Sequence, residues 1–509
     1  MFPAKVHRTI YIVLVAILGA SMVTSVFVAN MAWALLGLNW LLEGRWREKW
    51  QMARESRLLQ AFVGTYLLLL AGMLWTDNVG AGWGTLQVLL PLLVVPIVLL
   101  TTKPISGNAR KAVLAFYMLA VFVVSIIGLV RWITIPDLPH RDIVPYLSHI
   151  RYALNCCVVV YLSVGVMLNG TRWQRWVAVP LMAWMLAFMV IIHSYTGLIV
   201  LAIVSLVMLL TRWRRWPLIA LWVLLVGGAA GVVGYEVKNY YRMVPMAEVP
   251  LQEFTANGRP YDHAQDGIIE NGNYIGNYIC EEELRTEWNR RSKLDYDGLA
   301  RSGYSVKSTL IRYLNGLGQT KDSVGVAALS DAQVKAVENG VANPVYEDGN
   351  VMRKMVYTML LEREYYVHMH SVAGFTLLQR LEMWRAATHV IGEHPWFGVG
   401  TGDVVDAMDE YLTANDSELA GHRMNCHNQY LGIMAAVGII GFIVVLSLVL
   451  RTVFPLRKFR RAMSGTLMLP WLLTILISMV TEDTLATLAG ILFCTFFLAV
   501  RNAKRSLKG

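Results

Sequence analysis

Charged side chains are scarce in this sequence. Asp, Glu, Lys and Arg together form 16% of the 509 residues, whereas hydrophobic residues form 56%. The apolar residues come in runs of about 16 to 25 without Asp, Glu, Lys or Arg, long enough to cross a hydrocarbon core as a helix. A soluble protein of this length has a much more charged surface. The scarcity of charge therefore excludes a soluble fold and predicts an all-α polytopic membrane protein.

Cysteine is scarce as well, with five in the whole chain. No CxxC pair or histidine-rich spacing is present, so no metal site is expected. No cofactor is expected either. Cys156, Cys157 and Cys494 fall in apolar runs, where they are expected to pack as small hydrophobic residues. Cys280 and Cys426 fall outside these runs, and the sequence leaves open whether they form a disulfide.

About twelve apolar runs define the predicted membrane spans. They cover roughly residues 10–24, 26–42, 58–75, 82–101, 112–130, 152–168, 176–193, 197–211, 217–235, 427–450, 464–481 and 484–500. Basic loops such as 44–57 and 211–216 alternate with short loops that carry only Arg131, Arg141 and Arg151. Because basic loops stay in the cytoplasm, both termini are predicted to be cytoplasmic. The net charge of +10 follows from this topology and does not indicate nucleic acid as a partner.

One large polar segment interrupts the apolar runs. It covers 236–426, and it is expected to be mainly helical and to lie on the non-cytoplasmic face. Hydrophobic periodicity and capping residues predict helices within 330–340, 351–367 and 372–395. The predicted domains are an N-terminal membrane domain of about nine helices, this insertion, and C-terminal membrane helices with a cytoplasmic tail, at 1–235, 236–426 and 427–509. No small-residue cleavage site follows the first residues, so a removed signal peptide is not expected.

The spans contain no central Asp, Glu, Lys or Arg. Ion-coupled transporters and proton relays place such residues inside their spans, which argues against a permease. Polar chemistry is therefore expected at the outer membrane surface, where His427 and Asn428 precede the tenth apolar run. An imidazole can act as a general base near neutral pH, and Asn428 could orient it or bind a sugar. The alternative is that both residues only cap a membrane helix.

Two further groups are candidates for binding an anion. The stretch GVGTGD contains Gly400, Gly402 and Asp403 and follows a predicted helix, so it is not a dinucleotide fingerprint. Its backbone N–H groups could face an anion, or the stretch could be a plain turn. Arg380 and Arg151 are candidates for holding a diphosphate, because the guanidinium group matches phosphate oxygens. Packing of Arg380 and snorkelling of Arg151 are the alternatives.

Three motifs follow one another in the second half of the chain. RLEMW (380–384) fits R-x-x-x-W, and EHPWFGVGTGD (393–403) fits P-x-x-G-x-G. The segment from His427 fits H-N-x-x-L and also H-N, nine residues, then G-x-x-G. In this order, and with this topology, the motifs resemble the bacterial family of O-antigen ligases and polymerases. The spacing after His427 is most similar to that of the ligases that act on the lipid A core.

The resemblance implies a metal-independent, inverting glycosyltransferase in the bacterial inner membrane, with its active site facing the periplasm. Its donor would be a polysaccharide linked to undecaprenyl diphosphate, and its acceptor would be lipid A-core oligosaccharide. His427 would deprotonate the acceptor hydroxyl, and Arg380 and Arg151 would hold the diphosphate. The remaining candidates for substrate binding are Asn428, Gly400, Gly402 and Asp403.

One position departs from the family's pattern. Many relatives carry a Ser-Arg pair between the seventh and eighth spans, where this chain has Tyr195. His193 or Arg151 would then have to replace the missing arginine. Two alternatives within the superfamily stay open, an O-antigen polymerase and a protein O-oligosaccharyltransferase, although the spacing after His427 favours a ligase.

Overall fold

The protein is built almost entirely of α-helices. The computed structural model describes residues 3–135, 138–213, 216–242, 251–264, 268–347, 350–369, 372, 375–453 and 467–501. The helices are α1 (Ala4–Thr24), α2 (Val26–Glu43), α3 (Trp46–Glu55), α4 (Arg57–Ala71), α5 (Val79–Leu100), α6 (Gly107–Thr134), α7 (His149–Asn169), α8 (Arg172–Ile191), α9 (Tyr195–Met208), α10 (Trp216–Arg242), α11 (Glu281–Arg291), α12 (Val306–Gly316), α13 (Ser323–Ala327), α14 (Asp331–Glu338), α15 (Val351–Met369), α16 (Thr376–Glu393), α17 (Val404–Ala414), α18 (Gln429–Val453), α19 (Met468–Ser478) and α20 (Leu488–Thr495). Two short antiparallel strands pair with each other, β1 (Ile269–Glu270) and β2 (Asn273–Tyr274).

The membrane-spanning helices agree with the predicted fold class. Among the described residues, nine helices are long and apolar enough to cross a membrane. Three further apolar segments are shorter, and they are Tyr195–Thr211, Met468–Ser478 and Leu488–Val500. The prediction of an all-α polytopic membrane protein is therefore confirmed.

The last two predicted spans were drawn too long. Predicted span 464–481 corresponds to a helix that ends at Ser478, and its first three residues lie outside the described part of the chain. Predicted span 484–500 includes a separate 3₁₀ turn, Thr484–Ala486, before α20 begins. The polar residues around Asp483 make a folded connection here instead of extending either helix.

The chain divides into two compact units, which are Met1–Arg215 with Arg380–Gly509, and Trp216–Gln379. In the first unit α7 is the most buried of the long apolar helices. Polar side chains in this unit pair with each other: Tyr117 Oη donates to Asn155 Oδ1 at 2.8 Å, and Trp184 Nε1 donates to Ser125 Oγ at 2.7 Å. Such pairing is required where lipid offers no hydrogen-bond partner.

The second unit has an aromatic core of its own. Trp288, Tyr296 and Tyr313 are fully buried in it. The buried Glu270 carboxylate accepts hydrogen bonds from Arg312 at 3.0 and 2.8 Å, and from Tyr357 Oη at 2.6 Å. A carboxylate without water needs such partners, so this network fixes the hairpin of β1 and β2 against the helices.

The helices predicted in the polar segment are present. The segment 330–340 contains α14, which begins with a capping box between Ser330 and Gln333. The segment 351–367 corresponds to α15, and 372–395 contains α16. Cys280 and Cys426 are both free thiols in this structure, and they belong to different units, so a disulfide between them stays untested.

Helix α18 is broken at Gly438, which has φ 69° and ψ −178°. The segment after α16 fills the break: Val399 and Gly400 donate from N–H to the carbonyls of Ala435 and Ala436 at 2.9 and 3.0 Å. On the other side of the break, Ile439 N–H donates to Pro395 O at 2.8 Å. Gly438 therefore supplies a backbone conformation that residues with a side chain disfavour.

Replacing Gly438 with alanine is expected to cost about 3 kcal/mol of stability or more, because backbone strain and overpacking add. A Cβ atom there would lie 2.2 Å from the carbonyl oxygen of Trp396, which is backbone and cannot move aside cheaply. Thermal unfolding of the purified protein measures the effect. Gly392→Ala on α16 is the matched control, since a Cβ atom at Gly392 meets nothing within 4 Å. Equal melting temperatures for both variants would contradict this account of the break.

Candidate active site

His427 lies at the end of a loop, two residues before α18 begins. Its φ of 53° is left-handed, which is uncommon for a residue with a side chain. The backbone N–H of His427 donates to Asp483 Oδ2 at 2.7 Å, and Nδ1 of its ring lies 4.0 Å from the same oxygen. Asp483 therefore holds the backbone of His427 by a hydrogen bond and places its carboxylate near Nδ1 of the ring.

The loop of His427 is bound to the connection between α19 and α20. Gln429 N–H donates to Met479 O at 2.9 Å, and Gln429 Oε1 accepts from Leu485 N–H at 2.7 Å. The Cys426 thiol donates to Asn428 O at 3.0 Å. These bonds fix one rigid turn against another, so the position of the imidazole does not depend on a flexible loop.

Two arginines from different helices contact the connection between α19 and α20. Arg380 of α16 donates from Nη2 to Glu482 Oε1 at 2.7 Å, and both side chains are largely buried. Arg151 of α7 donates from Nη2 to the backbone carbonyl of Asp483 at 3.4 Å. The Nε atoms of Arg151 and Arg380 are buried and have no hydrogen-bond partner. A buried N–H of a guanidinium without an acceptor is costly, and it leaves donors ready for an anion.

The charged groups around His427 and the burial of the site shift the pKa values of His427 and Glu482. Burial lowers the pKa of the His427 imidazole, the Asp483 carboxylate raises it, and the positive charges of Arg380 and Arg151 lower it again. The net effect is a pKa below the usual range, which keeps the ring neutral at neutral pH. Burial raises the pKa of Glu482, and the two arginines counteract this rise. A neutral imidazole beside two cations can accept a proton while the cations hold a negative charge nearby.

Comparison with known proteins adds to this geometry. Residues 351–446 match the family model described as O-antigen ligase. This segment, which is less than a fifth of the chain, is similar to that family. No curated protein matches the chain. The matched segment contains Arg380, the glycine stretch and His427, whereas Arg151 and Asp483 lie outside it.

The structure brings together only some of the site residues that the sequence predicts. His427, Arg380 and Arg151 interact electrostatically around one connection. Asn428 lies next to them but is buried, and its Oδ1 accepts from the N–H groups of Tyr430 and Leu431 at 3.0 and 3.2 Å. The carboxamide oxygen of Asn428 therefore caps α18, as the alternative interpretation had it.

The glycine stretch at 398–403 packs against other parts of the protein. The N–H group of Gly400 donates to Ala436 O, and that of Gly402 donates to Thr76 Oγ1 at 3.3 Å. The two carboxylate oxygens of Asp403 accept from the N–H groups of Asp77 and Asn78 at 2.9 and 2.7 Å. The N–H groups of Gly400 and Gly402 thus donate within the protein and do not face an anion. The stretch forms a plain turn, which corrects the prediction that these glycines bind a substrate.

The segment around Tyr195, where the family resemblance leads one to expect an arginine, forms an aromatic cluster. His193 has φ 50° and stacks on His140 with ring centroids 3.7 Å apart. Tyr195 stacks on His193 from farther away, at 6.1 Å. His193 is thus held in a ring stack, which leaves Arg151 as the stronger substitute for the missing arginine.

Sequence reasoning did not select Glu482 and Asp483. Both are 7% exposed and lie in TEDT (481–484), between two apolar runs. Two adjacent acidic residues between membrane spans, on the same side as His427, were the signal that could have identified them. Their partners could not be found from the sequence, because the pairing of Glu482 with Arg380 depends on the tertiary fold.

Replacing Asp483 with asparagine is expected to shift the acid limb of the pH–rate profile to lower pH. With His427 as a general base, the rate of catalysis falls where its imidazole becomes protonated, and the Asp483 carboxylate raises the pKa of that imidazole. Without that charge the pKa falls further, so the neutral base persists to lower pH, and the weaker base lowers the maximal rate. Transfer rates measured from pH 4.5 to 8 test this shift. Glu410→Gln removes an exposed carboxylate of α17 and should leave the profile unchanged; an unshifted limb in Asp483→Asn contradicts the coupling.

Proposed function

We propose that this protein is an O-antigen ligase that transfers polysaccharide from undecaprenyl diphosphate to lipid A-core oligosaccharide. The similarity of residues 351–446 to the O-antigen ligase family and the multi-pass membrane fold support this class of protein. The observation that carries the proposal is the arrangement at one connection, where a neutral imidazole backed by a carboxylate lies near two arginines with unpaired buried Nε atoms. The family resemblance at R-x-x-x-W and after His427 supplies the ligase type.

The reaction follows from these groups. The imidazole of His427 accepts the proton of an acceptor hydroxyl, and Nδ1 faces Asp483, so Nε2 is the nitrogen that takes this proton. The hydroxyl oxygen attacks the anomeric carbon of the donor as the bond from that carbon to the diphosphate oxygen breaks. Attack from the face opposite the leaving group inverts the anomeric centre. The products are a new glycosidic bond and undecaprenyl diphosphate.

Arg380 and Arg151 stabilise the charge that develops on the leaving diphosphate. Their guanidinium groups bind phosphate oxygens through paired N–H donors, and both stay charged at any physiological pH. Glu482 holds Arg380 in place before the donor arrives, at a distance of 2.7 Å. Asp483 stabilises the imidazolium ion that forms during transfer. No residue in this scheme requires a metal.

The orientation of the protein follows from its basic loops. The loops rich in Lys and Arg support an orientation with both termini in the cytoplasm of a bacterium. The connections at His427 and Asp483 are then on the periplasmic side of the inner membrane. That is the side on which the lipid A core and the lipid-linked polysaccharide both present their sugars.

The acceptor is tested by offering three acceptors to the full-length protein in proteoliposomes. Lipid A-core oligosaccharide, a second lipid-linked repeat unit and a Ser/Thr-rich secreted protein are supplied separately with the same labelled donor. Label on lipid A core alone is the expected result. Lengthening of the donor itself would identify a polymerase, and label on the protein would identify a protein O-oligosaccharyltransferase.

A further inference from the structure

An apolar groove of about 1560 Å³ lies between α6, α7 and α8 of the first unit. Its walls are mostly hydrophobic, with side chains such as Met118, Phe122 and Leu181. Small residues, among them Ala115 and Gly165, leave the space between the helices open. The volume exceeds that of most pockets for small molecules, which are about 300–1,000 Å³. The size and the walls fit long hydrocarbon chains.

One end of the groove is polar and positively charged. Arg110 and Lys111, near the start of α6, line this end together with Asn169, Trp173 and Gln174 at the turn from α7 to α8. Among the described residues that line the groove, none is Asp or Glu. Trp173 is 76% exposed, and tryptophan prefers the interface between lipid and water. A hydrocarbon-lined groove with two cations at one interfacial end matches a lipid that carries a negative headgroup.

This charged end is far from the candidate active site. Arg151 lies in the first turn of α7 and Asn169 is the last residue of the same helix. At 1.5 Å of rise per residue, the two positions are about 27 Å apart along α7, which is nearly the thickness of a hydrocarbon core. A donor lipid whose diphosphate is held at Arg151 cannot have the same diphosphate at Arg110 and Lys111. The charged end of the groove is therefore separate from the place where Arg151 would hold a diphosphate.

We propose that this groove binds an anionic glycerophospholipid of the leaflet opposite to the active site. The phosphate of the headgroup interacts with Arg110 and Lys111, and the acyl chains lie along Met118, Phe122 and Leu181. Basic pockets between membrane helices on the cytoplasmic side bind anionic headgroups in this way. Because α6, α7 and α8 all line the groove, the bound lipid holds these three helices together.

The test uses the purified full-length protein in a non-ionic detergent. Its thermal unfolding is followed while phosphatidylglycerol or phosphatidylcholine is added. Phosphatidylglycerol is expected to raise the melting temperature in a saturable manner, and phosphatidylcholine is expected to have little effect. Each basic residue near a membrane surface changes lipid affinity about fivefold, so Arg110→Gln with Lys111→Gln is expected to weaken the response about 30-fold.

Two further variants separate a specific site from general attraction. Arg47→Gln with Arg54→Gln removes the same charge from α3, outside the groove, and should respond as the wild type does. Ala115→Trp keeps both cations but fills the groove, and it should lose the response. Equal responses to the two lipids, or equal losses in both pairs of charge variants, would overturn the proposal. So would mass spectrometry that finds a polyprenyl diphosphate, and no enriched anionic glycerophospholipid, on the purified wild type.

Discussion

Replacing His427 with asparagine is expected to lower the rate of glycan transfer by about 10²–10⁴-fold, the usual contribution of a positioned general base. Asparagine cannot accept a proton near neutral pH, so the acceptor hydroxyl keeps its proton. It tolerates the left-handed backbone conformation of this position better than alanine does, which keeps the bond from the backbone N–H to Asp483. Transfer by the purified protein in proteoliposomes, at saturating donor, measures the effect.

The control for this variant is His422→Asn, five residues earlier in the same loop. His422 is exposed and should leave the transfer rate within about twofold, as surface substitutions usually do. The melting temperatures of both variants should match that of the wild type. A His427→Asn protein that is folded and as active as the wild type would mean that His427 only ends the loop before α18.

Replacing Arg380 with alanine is expected to reduce transfer by about 10²–10³-fold, the cost of losing one donor to a developing negative charge. It should also destabilise the protein by about 3–5 kcal/mol, because Glu482 is left buried without its cation. The double variant Arg380→Ala with Glu482→Ala removes both charges. It should recover much of the thermal stability but not the transfer, since the diphosphate still lacks its guanidinium group.

This difference between stability and activity separates the two possible roles of Arg380. If the double variant recovers transfer along with stability, Arg380 serves the fold alone. Arg385→Ala is the matched control, because Arg385 lies on the same helix with a side chain that is 58% exposed. It is expected to change neither the melting temperature nor the transfer rate substantially.

The membrane fold was predictable because its signal is local. Runs of apolar residues of spanning length identify helices without any knowledge of their neighbours. The predicted span boundaries were wrong where polar residues form a separate turn between two helices, as at Thr484–Ala486. The break at Gly438 was also missed, because it depends on hydrogen bonds from a segment about forty residues earlier, such as that from Ile439 to Pro395.

The candidate site was only partly predictable for a similar reason. Motif spacing indicated His427 and Arg380. Arg151 was a candidate because it is a basic residue at the predicted outer end of an apolar run. The same spacing also selected Gly400 and Gly402, whose N–H groups bind Ala436 and Thr76. A sequence motif cannot distinguish a glycine that faces a ligand from one that lets two backbones approach. Asp483 became a candidate only when the structure placed its carboxylate against His427.

The most direct measurement is the release of undecaprenyl diphosphate by the purified protein in proteoliposomes, with lipid A-core acceptor and EDTA present. Wild-type protein should release the diphosphate in step with the appearance of glycan on lipid A, and His427→Asn should release almost none. Stoichiometric release that depends on both the acceptor and His427 is the predicted result. Equal release by wild type and His427→Asn, or glycan transfer that stops when EDTA is added, would contradict the account.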